Sequence, residues 1–236
     1  MNLDRLRAAF PERDILLFDS VDSTMRVAAA RQPGAVVIAD RQVAGIGRHG
    51  HTWHSARGEG IYCSIVLPPT AALTLALGVA TVEAIAQSTG IPCDLRWPND
   101  LLLGNRKVAG MIVQLVNGKA IAGIGINVNH TSFPPELAEE AISLRMHAGR
   151  ELSREQILMA LLPAIDSVAG EDTETILRLF AHASSYVAGR RVTVQQPGGE
   201  IVGTTAGLDP AGFLIVRKDD GTDTLILAGG VRAFGS

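Results

Sequence analysis

Lysine, cysteine and aromatic residues are scarce in this chain of 236 residues. Three of its 21 basic residues are lysine, which leaves 18 arginines, and aromatic residues make up only 4% of the chain. The two cysteines, Cys63 and Cys93, lie in apolar runs. This favours reduced thiols in a core over a disulfide and is typical of a cytoplasmic protein.

Long apolar runs and an excess of positive charge are also missing. No run reaches the roughly 20 apolar residues that a membrane span needs, and the N-terminus lacks the apolar centre of a signal peptide. The net charge of −3 argues against a nucleic-acid or membrane-surface protein. Apolar residues are plentiful instead, at 47% with a mean hydropathy of +0.21, which is enough for a sizeable core.

The order of apolar patterns predicts an α+β fold with a mixed, mainly antiparallel sheet and flanking helices. Helical spacing predicts helices near 1–10, 24–31, 75–88, 153–169 and 173–183. Strands are predicted near 14–18, 35–39 and 61–67, followed by a β-meander over 94–129 that contains the hairpin turn Asn117-Gly118. Short alternating strands near 191–195, 201–208, 213–216 and 224–227 are typical of a small β-barrel or SH3-like module. We therefore predict two domains, 1–187 and 188–236.

A glycine-rich, cationic loop at 42–54 follows the predicted strand 35–39. It contains three glycines, one arginine and three histidines: Gly45, Gly47, Gly50, Arg48, His49, His51 and His54. Glycines let backbone N–H groups approach an anion closely, and the arginine adds positive charge. The loop therefore predicts anion binding, with a long hairpin connection as the structural alternative.

Three other uses of such a loop fit less well. Residues 45–50 match Gly-x-Gly-x-x-Gly, but Trp53 and its successors do not continue as the helix that a dinucleotide site needs. No Gly-Lys-Ser/Thr follows, which argues against a P-loop. The histidines raise the alternative of a zinc site, but no cysteine or carboxylate lies at ligand spacing.

Polar and charged residues next to predicted elements form three further motifs. Ser23 and Thr24, within Val21-Asp22-Ser23-Thr24, either cap a helix or bind a small polar group. Asn99 and Asp100, within Arg96-Trp97-Pro98-Asn99-Asp100, either satisfy a turn or serve a site. Lys107 opens an apolar run in a chain that prefers arginine, and a compact ammonium suits point-like neutralisation of an anion. A lysine at a strand edge is its structural alternative.

Glycine and isoleucine alternate in Gly123-Ile124-Gly125-Ile126-Asn127-Val128-Asn129. Glycine inside a strand weakens it and marks a close approach of a ligand or another backbone. Side chains alternate along a strand, so Asn127 shares the bare face of Gly123 and Gly125. The remaining lysines, Lys119 and Lys218, lie beside turn glycines and are predicted to be solvated hairpin tips.

Together and in this order, these motifs resemble the catalytic module of biotin–protein ligases. The resemblance covers about 14–130, with a weaker match to the end. It implies a sheet related to class II aminoacyl-tRNA synthetases, followed by a small SH3-like β-barrel. It also implies a cytoplasmic ligase that uses ATP and Mg²⁺ to convert biotin into biotinyl-5′-AMP. Such a ligase then transfers biotin to one lysine of a biotin carboxyl carrier domain.

The resemblance also implies roles for individual residues. Arg48, Asp100 and Lys107 are the implied catalytic residues, and Mg²⁺ would come with ATP near Asp100 rather than occupy a protein metal site. The implied biotin-binding residues are Ser23, Thr24, Gln42, Gly45, Ile46, Gly47, Arg48, Lys107, Gly110, Gly123 and Gly125. The implied ATP- and adenylate-binding residues are Arg48, His49, His51, Trp53, Asn99, Asp100, Lys107 and Asn127.

The loop departs from the usual family pattern, Gly-Arg-Gly-Arg-x-Gly-Arg. Ile46 and His51 stand where two arginines are expected, and Met25, Arg96 and Gln114 replace a frequent Asn, Lys and Glu. Because two fixed charges are missing, we expect looser retention of the adenylate than in relatives that carry all three arginines.

Several alternatives stay open at this point. Lipoate or octanoyl transfer is the alternative within the superfamily, although its Arg-Arg-x-x-Gly-Gly-Gly loop is absent. A biotin-binding module without catalysis is the alternative outside it. Some family members carry an N-terminal helix-turn-helix that represses transcription. This chain begins about one helix before the module, so we expect no repressor role and no nucleic-acid partner. A monomer and a homodimer are both compatible with exposed edge strands.

Overall fold

Helices and strands are interspersed along most of the chain, and strands alone form its last fifth. The computed structural model describes residues 1–196 and 199–235, with the side chain of His49 excepted. The α-helices are α1 (Leu3–Ala9), α2 (Thr24–Ala29), α3 (Leu73–Thr89), α4 (Leu144–Ala148), α5 (Arg154–Ala169) and α6 (Thr173–His182). The strands are β1 (Ile15–Phe18), β2 (Val36–Ala39), β3 (Gly60–Leu67), β4 (Asp94–Arg96), β5 (Asp100–Leu103), β6 (Arg106–Val116), β7 (Lys119–Asn127), β8 (Ala188–Gln196), β9 (Gly199–Leu208), β10 (Leu214–Arg217), β11 (Asp223–Ile226) and β12 (Gly230–Ala233).

The larger sheet is mixed and mainly antiparallel, as predicted. Its described strands run in the order β1-β2-β3-β7-β6-β5-β4, and only the β1–β2 pair is parallel. The predicted hairpin between β6 and β7 is confirmed. Asn117 and Gly118 adopt φ values of 51° and 75°, the positive values that a type I′ turn requires at both central positions.

Helix boundaries follow the capping residues. The Ser23 and Ser153 side chains accept backbone N–H groups at the starts of α2 and α5, and Gly90, with φ of 76°, ends α3. These are the start and stop positions that the sequence predicts, within one or two residues. Within the described chain, no helix combines the length and apolarity needed to cross a membrane.

The larger sheet separates two apolar clusters. Ala122, Ile124 and Ile126 of β7 lie in the main cluster with residues of α3 and α5, whereas Ile121 lies in a second cluster with Met25 of α2. Side chains alternate across a strand, so residues 121, 123, 125 and 127 all face α2. Full burial of one large apolar side chain is worth about 1.5–3 kcal/mol, and the two clusters therefore fix the register of β7 strongly.

The smaller sheet is antiparallel, with described strands in the order β11-β10-β9-β8-β12. It fits the expected SH3-like domain, but it is an open sheet in the described residues rather than a closed barrel. Its last strand, β12, was not predicted. The indole N–H of Trp97 donates to the carbonyl of Gly212 at 2.9 Å and so ties the loop before β10 to the larger part. The domain boundary between 187 and 188 stays a prediction, although β8 begins at Ala188.

Candidate active site

One cavity of about 1200 Å³ lies on the α2 face of the larger sheet and extends to the smaller sheet. It collects almost every site residue that the sequence predicts. The predicted residues that line it are Ser23, Thr24, Gln42, Ile46, Gly47, Arg48, His51, Trp53, Asn99, Asp100, Lys107, Gly110, Gly123, Gly125 and Asn127. Gly45 lines an adjoining recess of about 600 Å³. The side chain of His49 is outside the described part of the chain.

A neutral hydrogen-bond network lies at the α2 end of the cavity. Gln42 Oε1 accepts the backbone N–H of Thr24 at 2.8 Å and its hydroxyl at 3.1 Å. The Thr24 hydroxyl contacts Ser64 Oγ at 2.8 Å, and Gln42 Nε2 donates to Ser55 Oγ at 3.1 Å. Ser23 caps α2 directly beside them. Uncharged donors and acceptors therefore meet at the start of a helix, as the sequence predicts.

Bare backbone forms the floor of the cavity at Gly110 and Gly125, which are paired between β6 and β7. The Trp53 side chain of the loop lies over both. A Cβ atom on Gly125 would come within 2.6 Å of Trp53 Nε1, and one on Gly110 within 3.0 Å of Trp53 Cζ3. Trp53 Nε1 is buried and has no acceptor in the described residues. The glycines therefore make room for an aromatic roof that keeps an unused hydrogen-bond donor.

Arg48 connects the loop to the sheet. Its Nη1 donates to Asn99 Oδ1 at 2.8 Å, and Asn99 Nδ2 donates to the carbonyl of Met111 at 2.9 Å. Burial lowers the pKa of Arg48, and the neighbouring Asp100 opposes that change. The guanidinium stays protonated near neutrality because its ordinary pKa is so high. Arg48 therefore holds a fixed positive charge between the loop and Asn99, the residue that precedes β5.

Asp100 lies between two cations. Arg96 Nη2 donates to its Oδ2 at 2.8 Å, and Lys107 Nζ lies 2.5 Å from its Oδ1. Burial favours the neutral carboxyl, but Lys107 and Arg96 outweigh it and hold the pKa of Asp100 below its usual range.

Lys107 faces the cavity with donors to spare. An ammonium group has three N–H donors, and one ion pair with Asp100 does not use them all. The ammonium also lies 5.3 Å from the centre of the Trp53 ring. The arrangement therefore presents two cations, Lys107 and Arg48, to the same space.

Asn127 braces the backbone of Lys107. Asn127 Nδ2 donates to the carbonyls of Lys107 at 3.3 Å and Ile142 at 3.2 Å. The N–H of Ile142 in turn donates to the Lys107 carbonyl at 3.0 Å. Asn127 lines the cavity on the face shared with Gly125, but its predicted closeness to a nucleotide stays a prediction.

Lys119 lies in the β6–β7 hairpin, and its predicted solvation is wrong. Its ammonium donates to the carbonyls of Ala29 at 3.4 Å and Arg31 at 2.6 Å, at the end of α2. A cation there satisfies carbonyl groups that a helix end leaves free. Lys119 is therefore a structural lysine away from the cavity.

Several cavity residues carry no signal in the sequence. They come from the segment after β7 and the smaller sheet, and include Phe133, Leu137, Glu140, Gln195 and Arg232. Phe133 stacks on His130 with ring centres 4.9 Å apart. Burial and the nearby His54 lower the pKa of His130 to about 4, so its ring is neutral. Since these residues belong to no local pattern, only the fold brings them to the cavity.

Within the described residues, no group of three or more histidine, cysteine or carboxylate side chains is placed to hold a metal ion. Among the carboxylates that line the cavity, Asp100 lies beside Lys107 and near Arg48, whereas Glu139, Glu140 and Glu200 come from the segment after β7 and the smaller sheet. One carboxylate is typical of sites where Mg²⁺ arrives with a nucleotide, because phosphates and water supply the remaining ligands.

Comparison with known proteins decides the family. Residues 17–130 match the model of the biotin/lipoate A/B protein ligase family, and residues 187–231 match the biotin protein ligase C-terminal domain. The biotin–[acetyl-CoA-carboxylase] ligase of Mycobacterium tuberculosis is 31% identical over 210 residues, which are 84% of this chain and 77% of that protein. This chain belongs to the biotin protein ligase family.

Other family members extend the comparison. The bifunctional ligase/repressor BirA of Bacillus subtilis is 31% identical over 204 residues. The match covers 80% of this chain but only 63% of that relative's length. The solved structure of a biotin protein ligase from Aquifex aeolicus, in complex with biotin and ATP, superimposes with a TM-score of 0.84 at 30% identity. It covers 93% of this chain and 99% of that one, so the two sheets described above are the family fold.

Proposed function

We propose that this protein is a biotin protein ligase that activates biotin with ATP and transfers it to a lysine of a biotin carboxyl carrier domain. One observation carries the proposal: a single cavity joins a neutral polar end, a bare glycine floor and a pair of cations. Biotin has the same sequence of parts, since its uncharged ureido ring is joined by an apolar chain to a carboxylate. The Aquifex relative, by its name, binds both biotin and ATP.

The neutral network suits the ureido ring. Ser23, Thr24 and Gln42 offer hydroxyl, amide and carbonyl groups without a net charge, and a ureido group needs both donors and acceptors. The Trp53 ring lies against Gly110 and Gly125, so the ring and chain of biotin would run alongside Trp53 rather than beneath it. This course ends near Lys107, where the ammonium can neutralise the biotin carboxylate.

The cationic end suits the triphosphate. Arg48 and Lys107 face the same space, and the first reaction step brings a carboxylate against a polyanion, which repels it. Fixed cations in a site shielded from water reduce that repulsion and stabilise the charge that develops on the α-phosphate. In this proposal Asn99 holds Arg48 in place, Asp100 contacts the Mg²⁺ that ATP carries, and His51 and Asn127 lie near the nucleotide.

The chemistry has two steps. A carboxylate oxygen of biotin attacks the α-phosphorus of ATP, the bond to the bridging oxygen breaks, and pyrophosphate leaves with its electron pair. A neutral lysine amine of the carrier then attacks the acyl carbon of biotinyl-5′-AMP, AMP leaves, and the amine releases a proton. Water would hydrolyse this mixed anhydride, so the loop at 42–54 acts as a lid over it. In this proposal Asp100, ionised because of its low pKa, orients the incoming amine.

Several lines support the choice of carrier and compartment. Two relatives are named as biotin–[acetyl-CoA-carboxylase] ligases, which favours a carboxylase carrier domain as the partner. The thiols of Cys63 and Cys93 are free, and burial raises the pKa of each to about 12. Unreactive free thiols suit a reducing cytoplasm, where the carboxylase substrate would be made.

A reconstitution experiment tests the proposal. The protein is incubated with biotin, ATP, Mg²⁺ and a biotin carrier domain, and the carrier is analysed by mass spectrometry. We expect one biotinyl group on one lysine and biotin-dependent release of pyrophosphate. Biotin binding without pyrophosphate release would instead identify a binding module, and modification by lipoate or octanoate alone would identify a related transferase.

The lid is attached to the sheet by an apolar contact where the family pattern has an arginine. Ile46 packs against the apolar cluster that contains Met25, and it pairs with Thr52 in a short bridge inside the loop. We expect the Ile46→Arg variant to release biotinyl-5′-AMP several-fold more slowly than the wild type, because it adds a cation beside the phosphate. Dissociation of radiolabelled adenylate from the isolated complex measures the rate.

The matched control for this variant is Ile46→Gln, which removes the apolar contact without adding charge. It should release the adenylate at least as fast as the wild type. If Ile46→Arg also shows no slowing, the missing arginine does not limit adenylate retention.

A further inference from the structure

The lid loop needs a rigid base at the point where the chain leaves β2 and enters β3. Those two strands end and begin at Ala39 and Gly60, so the loop and its stems span 40–59. The N–H of Gly58 donates to the carbonyl of Asp40 at 2.9 Å, which joins the two stems directly. A loop that opens and closes moves about such a base, and the contacts there set how far it can open.

Arg154 binds both stems at once. Its Nη1 donates to Asp40 Oδ1 at 2.8 Å and to the carbonyl of Gly60 at 3.2 Å. The Arg154 side chain is 14% exposed and that of Asp40 is 26% exposed, so water screens the pair only partly. Residues 40 and 154 are 114 positions apart in the chain, and no local motif links them.

The position of Arg154 is itself fixed by the end of β7. Arg154 is the first residue of α5, directly after the capping residue Ser153. Asn129 Oδ1 accepts the N–H of Leu152 at 2.9 Å, and Asn129 Nδ2 donates to the Leu152 carbonyl at 2.9 Å. The N–H of Asn129 also donates to the carbonyl of Glu59 at 2.6 Å, in the second stem. Hydrogen bonds therefore join the residues after β7, the start of α5 and the base of the loop.

We propose that Arg154 is a positioning residue for the lid and controls retention of the adenylate without touching it. This inference rests on the proposed function. Arg154 is absent from the described residues that line the cavity, so its effect must pass through Asp40 and Gly60. Loss of the guanidinium leaves the Asp40 carboxylate and the Gly60 carbonyl without this donor. Both groups then gain from contact with water, which favours separation of the two ends of the loop. The lid would then open more often.

A matched pair of variants tests the inference. Arg154→Met removes the clamp and keeps an apolar side-chain stem. Arg13→Met is the control, since the Arg13 side chain is also largely buried, pairs with Asp166 at the other end of α5, although that carboxylate is exposed, and donates to the carbonyl of Gly34 at 3.4 Å. Arg154→Lys keeps the positive charge with a single donor group and serves as the conservative variant.

Amide hydrogen exchange of the ligand-free proteins is measured first, because it does not depend on any reaction. We expect peptides within 41–59 to exchange roughly tenfold faster in Arg154→Met, unchanged in Arg13→Met and intermediate in Arg154→Lys. The rate of adenylate dissociation should follow the same order, while the rate of pyrophosphate release at saturating biotin and ATP changes less than about threefold.

The outcomes separate the two proposals. If loop exchange and adenylate release are the same in Arg154→Met and wild type, or change equally in Arg13→Met, Arg154 is merely structural and the inference is overturned. If wild type releases no pyrophosphate with biotin and ATP, the proposed function fails. The positioning role in adenylate retention then fails with it, even where the exchange data show that Arg154 orders the loop.

Discussion

Replacing Lys107 with alanine is expected to lower the rate of biotin-dependent pyrophosphate release by about 10²- to 10³-fold, as for loss of one group that stabilises developing charge. Lys107 is the ammonium at the junction of the glycine floor and the cationic end. In the proposed function, its removal takes away a charge that neutralises the biotin carboxylate and the α-phosphate. It also removes the larger of the two cationic influences that lower the pKa of Asp100, so that pKa should rise toward its usual range.

Pyrophosphate release in the absence of a carrier measures this first step alone. Lys119→Ala is the control, because that ammonium caps α2 and lies away from the cavity. It should cost some stability and leave the rate per folded molecule unchanged. Lys107→Arg is expected to restore little, since a planar fork replaces a compact ammonium that lies 2.5 Å from a carboxylate oxygen. Full activity in Lys107→Ala would remove this residue from the catalytic set.

Replacing Arg48 with glycine is expected to release the adenylate about 10²-fold faster, while the first step is slowed much less. Arg48 is the cation by which the loop bonds to Asn99, at 2.8 Å, and a charged hydrogen bond of this kind is worth about 1.5–3 kcal/mol. Without it the lid loses its charged attachment to the sheet and its charge beside the phosphate, and the apolar contact of Ile46 remains. Activated biotin then leaves the cavity and acylates amines in solution.

Biotinylation of a lysine-rich bystander protein without a carrier sequence measures this leakage. The chain itself offers few acceptors, because Lys107 is ion-paired and Lys119 donates to two carbonyls. Lys218, in the turn between β10 and β11, is the expected site of self-modification. Asn99→Ala removes the same hydrogen bond but keeps the cation, so it should leak less than Arg48→Gly. Equal bystander labelling by wild type and Arg48→Gly would contradict the role of Arg48 as the lid attachment.

The elements of secondary structure follow closely from local sequence. Helical spacing and capping serines identify α2 and α5, and Gly90 marks the end of α3, because these signals act within a few residues. The Asn117-Gly118 pair identifies the β6–β7 hairpin for the same reason. The strand β12 is missed because it is short and pairs with β8, more than thirty residues earlier in the chain. Long-range pairing of this kind has no local signature.

The candidate site is predictable in part because its residues lie in motifs with local meaning. Three features are unusual for residues that serve only the core or the surface. They are glycines in a strand, a lysine in an arginine-rich chain and a cationic loop. Residues such as Phe133 and Arg232 line the same cavity, but nothing in their local sequence is unusual. Lys119 shows the opposite error, since its sequence environment predicts solvent and its tertiary environment provides helix carbonyls.

The sequence by itself determined the family, the order of most of the elements and most of the predicted polar and glycine residues that line the cavity. The family follows from the resemblance of the motifs to those of biotin–protein ligases, and the elements follow from periodicity and turn chemistry, which act over short stretches of chain. The tertiary structure alone decided which of them touch: Arg48 with Asn99, Lys107 over Trp53, and Arg154 across the base of the glycine-rich loop. Such contacts depend on how β2, β3 and α5 pack together, and burial of apolar surface by the whole domain sets that packing. The loop at 42–54 was thus identifiable from its glycines and arginine, whereas the clamp that holds it required the fold.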